Sequence, residues 1–361
     1  MKNRANPNIL KVKPYVPGKP IEEVKREFKL KSVIKLASNE NPYGPSSKVL
    51  RAIATAGRSV NRYPDGGCYE LRRELAKRLD VKPEQMVFGC GSDEVIVLAL
   101  RAFVREGDEV VMAKPSFLVY SIASAAAGAR LVEVPLRGLC YDLPAMKAAV
   151  TPKTKIVFIG NPDNPSGQYS TKAEVAAFLD GFPSDVLVFF DEAYFEYVRA
   201  EDYPDTLALL KSRRNIVVAR TFSKLYGLAG LRIGYGVADV EVADLLNRAR
   251  EPFNVTSVAQ AAALAALKDR SYYKKILDET CRQREVVCTG LQKLGLECSR
   301  GATNFIQVRT SQDSSALAQA LLKKGVIVRD MAVWGLKNYI RVSIGTPSEN
   351  KRFLKALGEV I

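Results

Sequence analysis

The sequence predicts an α/β fold: a three-layer αβα arrangement around a mostly parallel central sheet, followed by a smaller α+β domain. Three observations lead there. Short apolar runs rich in Val, Ile and Phe recur from residue 85 to residue 237. Segments of helical period separate most of them. The runs are apolar at successive positions, as in VLVFF and IVFIG, so both faces of the sheet must be covered, and the intervening helices supply the crossovers that parallel strands need.

The first 35 or so residues, Pro- and Lys-rich in KVKPYVPGKP, read as an extended arm followed by an amphipathic short helix, IEEVKREFKL. Strands are expected at QMVFGC (85–90), EVVMA (109–113), RLVEV (130–134), KIVFIG (155–160), DVLVFF (185–190), NIVVAR (215–220) and RIGYGV (232–237). Helices such as SDEVIVLALRAFVREG and TKAEVAAFLDGF lie between them. After Gly236 the helical VEVADLLNRAR is broken at Glu251-Pro252, and an Ala-rich helix runs from about Ser257 to Leu267. Strands FIQVR, VIVRD and YIRVSIG mix with helices in the final part. The division expected is an arm with its short helix over 1–35, packing with the small domain or a partner subunit, a large domain over 36–250 and a small domain over 251–361.

The 361 residues are 47% hydrophobic and 26% charged, ordinary for a globular chain of two domains. No apolar run approaches the roughly 18 residues of a membrane span. The opening MKNRANPNIL lacks the apolar centre of a signal peptide, so a cytoplasmic protein with no membrane partner is expected. The six cysteines are scattered without a C-x-x-C pair, which reads as buried reduced thiols rather than a zinc site or disulfide framework. Histidine is absent, which removes Ser-His-Asp and Cys-His catalysis and imidazole metal ligands. The net charge of +15 comes without the basic–aromatic clusters of a nucleic-acid surface, so no nucleic-acid partner is expected; a dispersed basic surface favours small anionic substrates.

In a crossover sheet, ligands bind at the carboxyl ends of the strands, and the polar motifs follow the apolar runs. TFSKLYGLAGLR (221–232) succeeds NIVVAR. A lysine on a turn is ordinarily solvated, but Lys224 sits among small and apolar neighbours, where desolvation favours the neutral, nucleophilic amine. Ser223 and Arg232 beside it carry phosphate-binding chemistry. DEAY (191–194) follows VLVFF: Asp191 either caps a helix or stabilises a protonated pyridine nitrogen, and Tyr194 can hydrogen-bond a ring oxygen. NPDNPSG (161–167) is a rigid turn that offers the Asn164 amide without added charge. GCGSDE (89–94) puts Ser92 and Asp93 at a helix start, as plain caps or as a phosphate cradle. Phe117 can stack on a cofactor ring. Phosphate, ring, ring, lysine, phosphate on successive strand ends points to pyridoxal 5'-phosphate (PLP).

With these motifs the chain resembles the fold-type I PLP enzymes of the aspartate aminotransferase superfamily (class I/II), and within it the histidinol-phosphate aminotransferase family. The likeness runs through PYVPGKPIEEV, KLASNENPYGPS, NRYPDGG, GCGSDE, NPDNPSG, DEAY, TFSKLYGLAGLRIGYG and NYIRVSIGTP, in order. The resemblance implies that Lys224 holds the cofactor and shuttles a proton, that Asp191 pairs with the pyridine nitrogen, that Asn164 and Tyr194 hold the ring oxygen, and that Phe117 stacks on the ring. It places Ser92, Asp93, Ser223 and Arg232 on the phosphate, joined by Tyr63 from the other subunit of a homodimer. It assigns Arg341 and Arg329 to the substrate's phosphate or carboxylate, with Tyr15 and Asn39 in segments that close over substrate. Two departures stand out: Asp163 where the family commonly has Asn, and Phe117 where it has Tyr.

The reaction implied is transamination between L-histidinol phosphate and 2-oxoglutarate, giving imidazole-acetol phosphate and L-glutamate in histidine biosynthesis. An aromatic or broad-specificity aminotransferase on the same scaffold is the alternative. A PLP-binding transcription regulator needs a DNA-binding module, and the family motifs here begin by Lys35.

Overall fold

The computed structural model describes residues 1, 4–15 and 17–361; Val16, within the PYVPGKP segment, lies outside them. Twelve strands occur among the described residues: β1 (Ile34–Leu36), β2 (Met86–Gly89), β3 (Glu109–Lys114), β4 (Arg130–Pro135), β5 (Thr154–Gly160), β6 (Leu187–Asp191), β7 (Ile216–Thr221), β8 (Gly234–Ala238), β9 (Cys298–Ser299), β10 (Phe305–Arg309), β11 (Val326–Asp330) and β12 (Tyr339–Ser343). Each run read as a strand forms one. β1 and β9 are additions, with three and two residues, too short to show a period.

Seven strands make the large sheet in the order β2-β8-β7-β6-β5-β3-β4. β8 runs antiparallel to both neighbours, and the other pairs are parallel. Side chains of a strand alternate between faces, which divides the core in two. Ile156, Phe158, Leu187 and Phe189 pack on one side with residues of helices Ser92–Phe103 and Val240–Arg248. Val157, Ile159, Val188 and Phe190 pack on the other with residues of helices Tyr69–Leu79, Lys172–Leu179 and Ser257–Lys268. Full burial of a side chain such as Phe189 contributes about 1.5–3 kcal/mol. The three-layer α/β arrangement is thus the one predicted.

The second sheet has the order β1-β11-β12-β10-β9. β1 joins it parallel to β11, while the remaining pairs are antiparallel. Its core collects Leu36, Ile306, Val326, Val342 and Phe353. The 24-residue helix Arg270–Lys293 connects the two bodies. Tyr273 and Ile276 near its start belong to the large-sheet core, and Val287 and Leu291 near its end belong to the second.

The arm departs from its reading as extended chain. Pro7–Lys11 forms a short helix, capped by the Asn6 side chain with Pro7 in the first turn, and it packs against the helix Leu118–Ala126. Proline suits that first position because its missing N–H has no partner there in any case. The next helix, Ile21–Phe28, buries Val24 with Leu322 and Ile327 of the second body. The cysteines depart too: Cys68 and Cys288 are buried, but Cys90 and Cys140 are exposed, because both lie on turns between elements rather than on apolar faces. Among the described residues, no helix is long and apolar enough to cross a membrane.

Candidate active site

A cavity of about 450 Å³ opens at the carboxyl ends of β5, β6 and β7, walled on the far side by the second sheet. Every residue given a site role from the sequence lines it except Tyr63. The polar groups divide along its length into three sets.

The first set surrounds a helix start. Gly91 caps the helix Ser92–Phe103 without a side-chain hydrogen bond, so Ser92 is the first helical residue rather than the cap. The N–H groups and macrodipole of such an end favour an anion. Gly91 has φ +82°, and a Cβ there would collide with Arg232 Nη2. Arg232 itself is left-handed at φ +54°, which costs about 1–2 kcal/mol for a non-glycine residue. Its guanidinium spans the cradle: Nη1 donates to Ser223 Oγ at 3.4 Å, and Nη2 donates to Asp93 Oδ2 at 3.4 Å. Gly234 on β8 lets the helix start sit directly on the sheet, since a Cβ would meet the Ser92 amide.

The second set lies at the middle. Asp191 is the last residue of β6 and is buried. Its Oδ2 accepts from Tyr120 Oη at 2.8 Å and its Oδ1 from the Ala193 amide at 3.1 Å. Burial pushes this carboxyl up to about 6, against the lowering effect of the Tyr120 hydrogen bond. Tyr120 stacks on Phe158 with centroids 4.7 Å apart, and Phe117 stands edge-on to it at 5.6 Å. Lys224 follows β7, with Nζ 5.5 Å from the centre of the Tyr194 ring. Asn39 Nδ2 donates to Tyr194 Oη at 2.9 Å. Asn39, at φ +56°, is fixed by its amide donating to Ser343 Oγ at 2.8 Å and by its carbonyl accepting from Asn304 Nδ2 at 2.9 Å.

The third set is a row of rings and guanidinium groups. Arg329 lies 5.9 Å from the Tyr15 ring and 5.1 Å from the Trp334 ring. Arg341 lies 5.5 Å from the same Trp334 ring and 5.1 Å from Phe305. Arg341 Nη1 donates to Asn164 Oδ1, and Nη2 donates to the Ala37 carbonyl at 3.0 Å. Its Nε is buried with no hydrogen-bond partner among the described residues. Burial, with Arg329 adding like charge, lowers the Arg341 guanidinium to about 10. Asn164 therefore bridges the ring region and the arginine end.

The Asn164 loop rests on Asp163. This carboxylate accepts from Tyr141 Oη at 2.8 Å, from the Ser166 amide at 2.9 Å and from Ser116 Oγ at 3.4 Å. Burial pushes it up to about 6. Tyr63 stands elsewhere: it is 83% exposed and stacks on Phe253 at 4.8 Å. Sequence reasoning missed Tyr120 and Trp334. Tyr120 lies one helical turn after Phe117, the spacing that puts two residues on one face. Trp334 is the chain's single tryptophan and sits between the two arginine-bearing strands.

The profile of the aminotransferase class I and II family matches residues 31–357. A histidinol-phosphate aminotransferase of Moorella thermoacetica is 47% identical over 354 residues, covering 98% of this chain and 92% of that protein. One from an Anaeromyxobacter species is 45% identical, covering 98% of each. The crystal structure of histidinol-phosphate aminotransferase from Sinorhizobium meliloti in complex with pyridoxal-5'-phosphate matches with a TM-score of 0.91 at 32% identity, over 99% of this chain and 97% of that one. The chain therefore belongs to the aminotransferase class I and II family.

Proposed function

We propose that the protein catalyses PLP-dependent transamination between L-histidinol phosphate and 2-oxoglutarate, giving imidazole-acetol phosphate and L-glutamate in histidine biosynthesis. One observation carries the reading: a single cavity holds an anion cradle at one end, Lys224 beside the buried Asp191 in the middle, and two guanidinium groups at the other end. Relatives of that name at 45–47% identity over nearly the whole chain support it.

The residues fit PLP. A Cβ at Gly91 would collide with Arg232, which lines the cavity together with Ser92 and Ser223, a donor set suited to the cofactor phosphate. The hydrogen-bond partners of Asp191 are a hydroxyl and an amide, neither of them cationic, so a protonated ring nitrogen would supply the missing positive charge. When bound, PLP supplies the electron sink that acidifies the substrate's α-carbon.

The chain's own residues supply the rest. Lys224 Nζ would serve as the base that takes the substrate's α-proton and then gives it back as an acid. Tyr194, steadied by Asn39, and Asn164 would hold the ring oxygen, and Phe117 would lie against the ring. Arg329 and Arg341 take the phosphate of one substrate and the carboxylate of the other in turn, since a guanidinium fork matches both anions. Tyr15, half-exposed at the mouth of the cavity, would close over substrate against the fixed Asn39 and exclude water.

The active unit proposed is a cytoplasmic homodimer. Tyr63 lies outside its own chain's cavity on an exposed aromatic pair with Phe253, and a second copy would bring it to the partner's cofactor phosphate.

The test is the visible spectrum of the purified protein, with half-reactions against glutamate and histidinol phosphate, then kcat/KM for histidinol phosphate, phenylalanine and tyrosine. Histidinol phosphate is expected to lead by at least about tenfold, because its dianionic phosphate meets the two guanidinium groups with more charge than the single carboxylate that phenylalanine or tyrosine brings. A clear preference for the aromatic acids overturns the assignment in favour of an aromatic aminotransferase.

A further inference from the structure

Arg329 and Arg341 are direct partners in the register between β11 and β12, so two like charges stand side by side at the substrate end of the cavity. The turn that joins these strands carries Trp334, the last residue of the short 3-10 helix Ala332–Trp334. Its ring is shared by both guanidinium groups, at 5.1 and 5.5 Å. Each arginine also lies near a second ring, Tyr15 at 5.9 Å for Arg329 and Phe305 at 5.1 Å for Arg341. The result is a row, Tyr15–Arg329–Trp334–Arg341–Phe305. A guanidinium flanked by rings keeps its hydrogen-bonding edge for ligands while its faces are held by cation–π attraction.

Trp334 is not a core residue. It is partly exposed and borders the main cavity on one side and a second cavity of about 200 Å³ on the other. Close packing therefore does not hold it. Its indole Nε1–H instead donates to the Ser116 carbonyl at 2.9 Å, a hydrogen bond from the second body to the segment that carries Phe117. One side chain thus touches both arginines and ties them to the wall of the ring site.

We propose that Trp334 is a positioning residue for the substrate's anionic group, spacing Arg329 and Arg341 in one row and anchoring that row to the Ser116–Phe117 segment. The inference rests on the reading that these arginines receive the phosphate or carboxylate. Trp334 does not touch the reacting atoms, so its removal acts on anion binding and leaves the proton transfer at Lys224 in place.

Two variants of the holoenzyme test this. In Trp334→Leu, KM for histidinol phosphate and for 2-oxoglutarate rises about tenfold or more, and kcat stays within about threefold, as expected when an interaction common to ground and transition states is lost. Inorganic phosphate, used as a competitive inhibitor, weakens in parallel. Trp334→Phe keeps a ring between the arginines but loses the bond to Ser116, so it restores only part of the loss. A merely structural role would instead lower the amount of folded, cofactor-loaded enzyme and leave KM unmoved. Unchanged KM values in Trp334→Leu overturn the proposal.

Because the chain has one tryptophan, its fluorescence gives a reading independent of turnover and of the leucine variant's folding. Inorganic phosphate is expected to change wild-type emission saturably, and Arg341→Met is expected to abolish the change. Emission indifferent to phosphate overturns the proposal. A wild-type enzyme whose emission responds to phosphate but which does not turn over histidinol phosphate upholds the anion site and overturns the proposed substrate.

Discussion

The Tyr120 hydroxyl donates to Asp191 Oδ2 at 2.8 Å, with both side chains buried at the carboxyl end of the large sheet. That bond stabilises the carboxylate against burial, and with both acting Asp191 stands at about 6. Removing a donor to the charged form raises an acid further. In Tyr120→Phe, the cofactor-free protein is therefore expected to bind PLP roughly tenfold more weakly at pH 6.5, the scale of a lost hydrogen bond to a charged group. The gap should narrow toward pH 8, where the carboxyl ionises without help. Spectral titration at the two pH values checks this, and a pH-independent difference counts against it.

Asp163 makes a prediction about stability. Its folded value of about 6 lies above the roughly 3.9 of an unfolded aspartate. Between those two values the folded protein holds a proton that the unfolded chain has released, so this group's contribution falls as pH rises through the window. Asp163→Asn removes the titration and keeps a group that can accept from the Ser166 amide and donate to Tyr141. Its Tm relative to wild type is expected to rise by about 1–4 °C between pH 4 and pH 7. Thermal unfolding across that range decides, and a flat difference rejects the role given to burial.

At the opposite end of the cavity, Gly91→Ala places a methyl group against Arg232 in a backbone conformation that side chains rarely adopt. The dissociation constant of the cofactor is expected to rise at least about tenfold, equivalent to about 1.4 kcal/mol. Because Gly91 touches none of the catalytic groups at the middle of the site, kcat at saturating PLP should move much less. A variant that binds PLP normally would show that the cradle is not the phosphate site.

Tyr63 and Lys224 permit a complementation test of the dimer. Lys224→Ala should fold and hold PLP while losing at least about a thousandfold in kcat, the upper range for a general base. Tyr63→Phe should weaken cofactor retention. If Tyr63 serves the partner's site, a hybrid of the two variants contains one site with every wild-type side chain. Co-expressed and co-purified protomers are then expected to exceed the summed activity of the parents. Activity no greater than that sum would place Tyr63 outside the partner's site.

What the sequence makes legible here depends on how locally each feature is determined. β5, β6 and β7 are buried on both faces, so their apolar runs stand out without knowledge of their neighbours. β1 and β9 exist only through pairing with β11 and β10, and three or two residues carry no period of their own. The helix Pro7–Lys11 hides in a Pro-rich stretch because its stabilising contact is tertiary. Among site residues, Lys224, Asp191, Asn164 and Arg232 lie on turns whose composition is unusual in itself. Tyr120 sits inside LVYSIASAA, where an aromatic residue reads as ordinary core. Only the fold brings its hydroxyl to Asp191. Trp334 gains its meaning from two arginines that lie five residues before and seven residues after it.

The pairing of β1 with β11 sets a timetable. Ile34 leaves the ribosome early, yet its partner Val326 follows only after roughly 290 further residues, which at about 5–20 residues per second is some 15–60 s of synthesis. During that interval the large sheet, with the cradle at Ser92 and the anchor at Lys224, is already complete in chain order. The wall that carries Arg329 and Arg341 is translated last. On the proposed assignment the cofactor end is translated before the substrate end, so PLP present during translation would meet Ser92 and Lys224 before the wall of Arg329 and Arg341 is made.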